Sequence, residues 1–157
     1  YFAKQEYGKA AHYLLRAADV NNKSPKSFYL LGYSLFMLNI YPSAQVALEQ
    51  AIALGPDSSE ILLLLGTTEM KNGKFAEAVK HLEQVKKISP TPNPEVYWQL
   101  SQLYGNHLKK YAEAADELES YLKAQTTITT PEQKKKAEEY KKLIKQLREK
   151  ANHKAKI

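Results

Sequence analysis

Four histidines, His12, His81, His107 and His153, are the side chains of this sequence best suited to bind a metal or carry a proton. None has a second ligand at helical spacing, so they read as surface or filler residues and no metal site is expected. The chain has zero cysteines, which excludes disulfides, thiolate ligands and cysteine nucleophiles and fits a reducing or an oxidising compartment equally. Ser34 and Ser101 fall inside helical stretches with no histidine and carboxylate arranged to activate them. Gly73-Lys74 is a lone turn rather than a phosphate loop, because no strand leads into it. Paired acids, Glu138-Glu139 and Glu117 with Glu119, read as solvated helix faces. Asn22-Lys23-Ser24 has the form of a glycosylation triplet, but Pro25 follows and it carries no weight. These residue types predict no enzyme and no cofactor.

Charge gives a second class of chemistry to weigh. The formal net charge is +6, yet residues 1–130 hold 13 Lys and Arg against 13 Asp and Glu, while residues 131–157 hold 10 against 4. The whole excess sits in a C-terminal stretch. A phosphate-binding protein would carry its cations along a broader stripe, and only Arg16 and Arg148 are arginines, so nucleic acid and membrane surfaces are not the expected partners. The richest apolar run, Ile61 to Leu65, is far shorter than the roughly 20 residues of a spanning helix, and the chain reads as soluble. The compartment is left open, with a cytoplasmic setting preferred.

The elements behind these residues repeat. Gly32 recurs as Gly66, Tyr41 as Phe75, Ala44 as Ala78 and Pro56 as Pro90, each 34 positions later. Tyr1 to Tyr7 reads as the end of one helix and a turn, so the chain is expected to start partway through a repeat and to be a fragment. A helix follows with Ala10, Tyr13, Leu14, Ala17 and Ala18 on one face, ended by Asn21 and Asn22. Ser24-Pro25 starts the next, with the stripe Phe28, Leu31, Leu35 and Leu38. Asn39-Ile40 turns the chain into a helix opened by Pro42, whose Ala44, Leu48, Ala51 and Ile52 face back, and Gly55-Pro56 closes it. Ser58-Ser59, the Asn72-Gly73 turn and Phe75 to Ile88 repeat the plan. A third copy carries one extra residue near Thr91 to Pro94 and another between Leu100 and Ala114, both placed in loops or turns. Ser101 replaces the glycine, keeping the helices close, and Tyr121 replaces Ala51, as an end repeat would. Beyond a polar spacer, Thr130-Pro131-Glu132-Gln133 is a capping-box start. The last helix sets Ala137, Tyr140, Ile144, Leu147 and Ala151 on one face and lysines around the rest. Three uses fit it: a solvating cap, a docking seam, or contact with an anionic surface.

Two helices per unit with these markers resemble the tetratricopeptide repeat family. Phe28, Leu31-Gly32, Leu35, Ala44, Leu48, Ala51 and Pro56 carry the likeness, as do Leu62, Leu65-Gly66, Phe75, Ala78, Leu82 and Pro90. Tyr97, Leu100, Tyr104, Tyr111, Ala114 and Leu118 carry it in the third copy, and Ala10, Leu14 and Ala17 in the truncated first. The resemblance implies an all-α, right-handed superhelical solenoid with a C-terminal capping helix. Its segments would be a partial repeat over residues 1–23, repeats over 24–57 and 58–92, a repeat with insertions over 93–125, and a basic amphipathic cap over 131–157.

The resemblance further implies a concave groove lined by first-helix side chains that holds a peptide or helix of a partner protein. On that mapping the wall is Lys26, Tyr29, Tyr33, Phe36 and Met37, then Glu60, Leu63, Thr67, Met70 and Lys71, then Glu95, Trp98, Gln102 and Asn106. Family members that clamp a carboxylate terminus use Lys, Arg and Asn at such positions, where this chain has mostly Tyr, Leu, Trp and Thr. An apolar or aromatic peptide, or an amphipathic helix, is therefore expected there. The alternatives are self-assembly, giving a homo-oligomer, and anionic-surface or nucleic-acid binding through the lysine-rich last helix.

Overall fold

A computed structural model of the chain describes residues 2–19, 24–55, 58–91, 93–125 and 127–155. In the first helix, the side chains of Phe2, Tyr13, Leu14, Ala17, Ala18 and Asp19 lie outside that description. The stop at Asn21-Asn22 and the closing Pro56 lie outside it too. The chain divides into two compact units, residues 1–90 and 91–157.

The first unit holds α1 (Phe2–Asp19), α2 (Pro25–Met37), α3 (Tyr41–Leu54), α4 (Ser59–Lys71) and α5 (Phe75–Ile88). Each helix packs on the next, and α2 also touches α4. The predicted stripes meet as the spacing requires: Leu31, Leu35, Ala44, Leu48, Ala51, Leu62, Leu65, Ala78 and Leu82 are all buried. Close approach within each pair depends on glycine. A Cβ on Gly32 would lie 2.6 Å from Leu48 Cγ, and one on Gly66 would lie 2.8 Å from Leu82 Cγ.

The turn between paired helices repeats as well. Asn39 (φ 63°) and Gly73 (φ 76°) are both left-handed. Each sits in a helix-ending pair of hydrogen bonds: Asn39 N–H donates to Phe36 O and Ile40 N–H to Leu35 O, both at 2.9 Å, with Gly73 to Met70 O and Lys74 to Glu69 O at 3.1 and 2.8 Å. This is the Schellman arrangement, which favours Gly or Asn at the left-handed position.

The expected break before Tyr7 is absent, since α1 runs unbroken from Phe2 to Asp19. The residue 34 positions before Asn39 is Gln5. Glutamine favours neither the left-handed turn nor a helix stop, so the helix continues through Gly8.

The second unit holds α6 (Pro94–Gln102), a π-helical turn (Leu103–His107), α7 (Tyr111–Ala124) and α8 (Pro131–Ala155). The insertion between Leu100 and Ala114 is taken up by that widened turn. Leu108 N–H reaches back five residues to Leu103 O at 2.9 Å, and Lys110 N–H donates to Tyr104 O at 2.7 Å. One extra residue per turn is what a π bulge accommodates while keeping the helix hydrogen-bonded. Ser101, at the position of Gly32 and Gly66, is buried, and its hydroxyl donates to Trp98 O at 2.7 Å.

The capping box forms as the sequence predicts. Gln133 N–H donates to Thr130 Oγ1 at 3.2 Å, and Thr130 N–H donates to Gln133 Oε1 at 3.1 Å. α8 then packs along α7. It buries Ala137 and half-buries Tyr140, Ile144, Leu147 and Ala151. Among the described residues no helix is long and apolar enough to cross a membrane.

Candidate functional site

None of the fourteen mapped side chains is buried, as a lining surface requires. They fall on two faces. Lys26, Tyr29, Tyr33, Phe36 and Met37 stand on α2, with Glu60, Leu63, Thr67, Met70 and Lys71 on α4, all in the first unit. Glu95, Trp98, Gln102 and Asn106 stand on α6 and the π turn, in the second.

On the first unit, α2 turns an apolar stripe outward. Tyr33 and Met37 are each 38% exposed, and Leu30, absent from the sequence-derived set, is 41% exposed. Positions 30, 33 and 37 recur at three and four residues, so they share one helix face. Leu30 was legible as part of that face; it was missed because the family mapping replaced the helical count.

Beside the stripe runs a chain of rings. Tyr7 of α1 meets Tyr33 edge-on at 6.1 Å, and Tyr33 lies 6.5 Å from Tyr29. The Tyr29 hydroxyl donates to Glu60 Oε1 at 3.0 Å, tying α2 to α4. Partial burial and then the hydrogen bond to the Glu60 carboxylate favour the neutral phenol, pushing the Tyr29 pKa up to about 12. The Tyr7 pKa is raised chiefly by the neighbouring Tyr33 phenol. Tyr7 was read only as a repeat marker; its place here depends on α1 running straight through the expected turn.

Two mapped aromatics, both half-buried, also pack against neighbours within their own units. Phe36 packs against the buried cluster of Ala11, Leu31, Leu35, Ala44 and Ala47 and meets Tyr41 edge-on at 5.4 Å. Trp98 lies 5.5 Å from Tyr121 and 5.4 Å from Tyr140, which are themselves 5.9 Å apart. The tryptophan thus joins α6, α7 and α8 in one aromatic cluster. Burial raises the Tyr121 pKa, with Tyr140 adding to the shift. Of the other mapped polar residues, Thr67 Oγ1 donates to Leu63 O at 2.8 Å and Asn106 Nδ2 to Gln102 Oε1 at 2.8 Å.

Two readings of charged residues need correction. His81 is no surface filler, since its Nδ1 lies 2.6 Å from Oε1 of Glu69, whose side chain is 1% exposed. Glu117 does not lie on a solvated face, and the part-exposed Glu119 is held in an ion pair. Glu117 is buried, and Glu119 accepts from Arg148 of α8 at 2.7 Å, with Asp116 accepting from the same guanidinium at 3.1 Å. These carboxylates, Asp116 first, raise the Arg148 pKa further. Among the described residues no group of three or more His, Cys, Asp and Glu could hold a metal ion.

The sequence pattern of the tetratricopeptide repeat matches residues 35–103. A TPR repeat-containing protein of Methanocaldococcus jannaschii is 30% identical over 118 residues, 75% of this chain. The fold superposes on the crystal structure of MamA with a TM-score of 0.75, covering 98% of this chain and 94% of that one at 17% identity.

The chain is a tetratricopeptide repeat protein.

The tetratricopeptide repeat fold is likewise shared with YrrB, described as having an unusual peptide-binding site, at a TM-score of 0.72 and 17% identity over 98% of this chain and 85% of that one. The chain spans only 20% of the length of the archaeal relative.

Proposed function

We propose that this repeat protein is a noncatalytic interaction module whose α2 face, flanked by α4, holds an apolar or aromatic peptide, or an amphipathic helix, of a partner protein. The observation that carries the reading is the outward stripe of Leu30, Tyr33 and Met37 beside the Tyr29–Glu60 hydrogen bond. Exposed large apolar residues at helical spacing on an otherwise satisfied helix match the anchor pattern of helix and peptide recognition. Tyrosine adds a rigid surface with a polar tip, the residue type most often found at binding hot spots, worth about 2 kcal/mol each. The peptide-binding site of YrrB supports the reading as a precedent on this fold.

Because α2 is fixed by burial of Leu31 and Leu35 on its opposite side, the face needs no ordering on binding. The ligand alone loses freedom. Selection of a random peptide library on the folded protein, followed by titration of the selected peptides against Tyr33→Ala and Met37→Ala, tests this. Each change should weaken binding at least about tenfold while helicity by circular dichroism stays unchanged. Selected peptides that bind both variants as tightly as the wild type would refute the α2 assignment.

A further inference from the structure

We infer that the second unit carries a separate docking site for an acidic segment of a partner protein, built where the end of α8 crosses the turn before α7. Four lysines converge there. Lys109 and Lys110 form the turn, while Lys150 and Lys154 come from α8. The two from α8 stand over the ring of Tyr111, with Lys150 Nζ 5.7 Å and Lys154 Nζ 5.9 Å from its centroid. Two cavities of about 540 and 290 Å³ open on either side, both lined by Tyr111 and Lys154, and His153 borders the larger.

The corresponding turns of the first two pairs hold Asn39-Ile40 and Gly73-Lys74, so the double lysine belongs to this turn alone of the three. Lys109 occupies the left-handed position at φ 55°. A residue with a Cβ is strained there by about 1–2 kcal/mol, and such strain is retained where the surroundings hold it. Here Lys154 Nζ donates to Lys109 O at 3.2 Å, pinning the turn to α8.

The charges decide the occupant. Arg148, one turn earlier, is neutralised by Asp116 and Glu119. Lys150 and Lys154 instead lean over an aromatic ring, which attracts an ammonium more weakly than a carboxylate would. Glu113 and Glu149 line the cavities, leaving four ammonium groups against two carboxylates. The cation set is compact and made of lysine point charges, unlike the extended arginine-bearing stripe that tracks a phosphate backbone. Between the ammonium groups the surface is the Tyr111 ring, Ala112, Ala151 and Ala155. A segment presenting carboxylates around an apolar or aromatic side chain complements both parts. This site is distinct from the α2 face and independent of it.

The test is fluorescence anisotropy of a labelled polyglutamate peptide carrying one phenylalanine, titrated at low ionic strength with the full chain. Two double variants are compared, Lys150→Gln/Lys154→Gln at the site and Lys134→Gln/Lys135→Gln at the opposite end of α8, which removes equal charge. Saturable binding should weaken roughly tenfold in the first and change less than about twofold in the second, since each exposed ion pair contributes up to about fivefold. The ring signals of Tyr111 in NMR spectra should move on titration with wild type. Equal weakening by both variants would overturn the site in favour of diffuse charge. Absence of saturable binding would overturn it too. Single-stranded DNA or phosphatidylserine vesicles binding through Lys150 and Lys154 in place of the peptide would overturn the acidic-segment assignment.

Discussion

Replacing His81 by alanine should strip the only hydrogen-bond partner found for Glu69 Oε1 among the described residues, at a carboxylate whose side chain is 1% exposed. Leaving a buried hydrogen-bonding group without its partner costs about 1–3 kcal/mol. The His81 side chain is 21% exposed, so water can follow through the space it leaves. That places the expected loss in the middle of the range, about 2 kcal/mol. The first complete repeat shows how the same slot is filled without charge: the residues 34 positions earlier are Leu35 and Ala47, both buried. The double variant Glu69→Leu/His81→Ala should therefore recover most of the loss, giving a coupling of about 2 kcal/mol or more. Urea unfolding followed by circular dichroism reads this as midpoint shifts at constant slope. A His81→Ala loss below about 1 kcal/mol, or a double variant as unstable as the sum of its singles, would refute the reasoning.

Glycine to alanine should have opposite signs at two helical sites. Gly66→Ala drives a Cβ to 2.8 Å from the Leu82 branch carbon, and overpacking of about 1–3 kcal/mol outweighs the gain in helix propensity, whereas Gly8→Ala meets nothing within 4 Å and should stabilise by about 0.5–1 kcal/mol; thermal melts separate them. Tyr29 should titrate near pH 12 rather than at the ordinary 10 in a phenolate absorbance titration, and Tyr29→Phe should remove that component. Its pKa is raised on folding, so the folded state holds the proton more tightly: its contribution to stability is complete below pH 10 and is lost between pH 10 and about 12. Glu60→Gln should lower the Tyr29 value only partway, because burial is the larger cause. Tyr140→Ala should shift the emission of Trp98, the sole tryptophan, and destabilise the second unit by about 1–3 kcal/mol; an unchanged spectrum would remove Tyr140 from the cluster.

Much of the fold was legible because repetition supplies its own control. A stripe such as Phe28 and Leu31 is a weak signal once, but Leu62 and Leu65, 34 residues later with the same glycine, exclude chance. The capping box at Thr130 was equally readable, since both of its hydrogen bonds join residues three apart. Local failures had local causes. At Tyr7 a repeat marker was taken for a turn although Gln5 lacks the left-handed preference of Asn39 and Gly73. Near Leu103 the extra residue was placed in a loop or turn, and that it takes the form of a π turn was not legible, because a short run of sequence does not distinguish the two.

The candidate face was legible only in outline. Helical counting limits which residues of α2 can point outward, and Tyr33 and Met37 do so. It cannot say that Phe36 turns toward Tyr41, or that Trp98 closes on Tyr121 and Tyr140 from two other helices. Period, helix limits and buried stripes follow from interactions between residues a few positions apart, and the sequence alone determined these. The Glu69–His81 pair, the Tyr29–Glu60 link and the lysines around Tyr111 join residues 12 to 43 positions apart. Only tertiary packing decides such contacts, because the side chains meet after helices have docked and water has left the space between them.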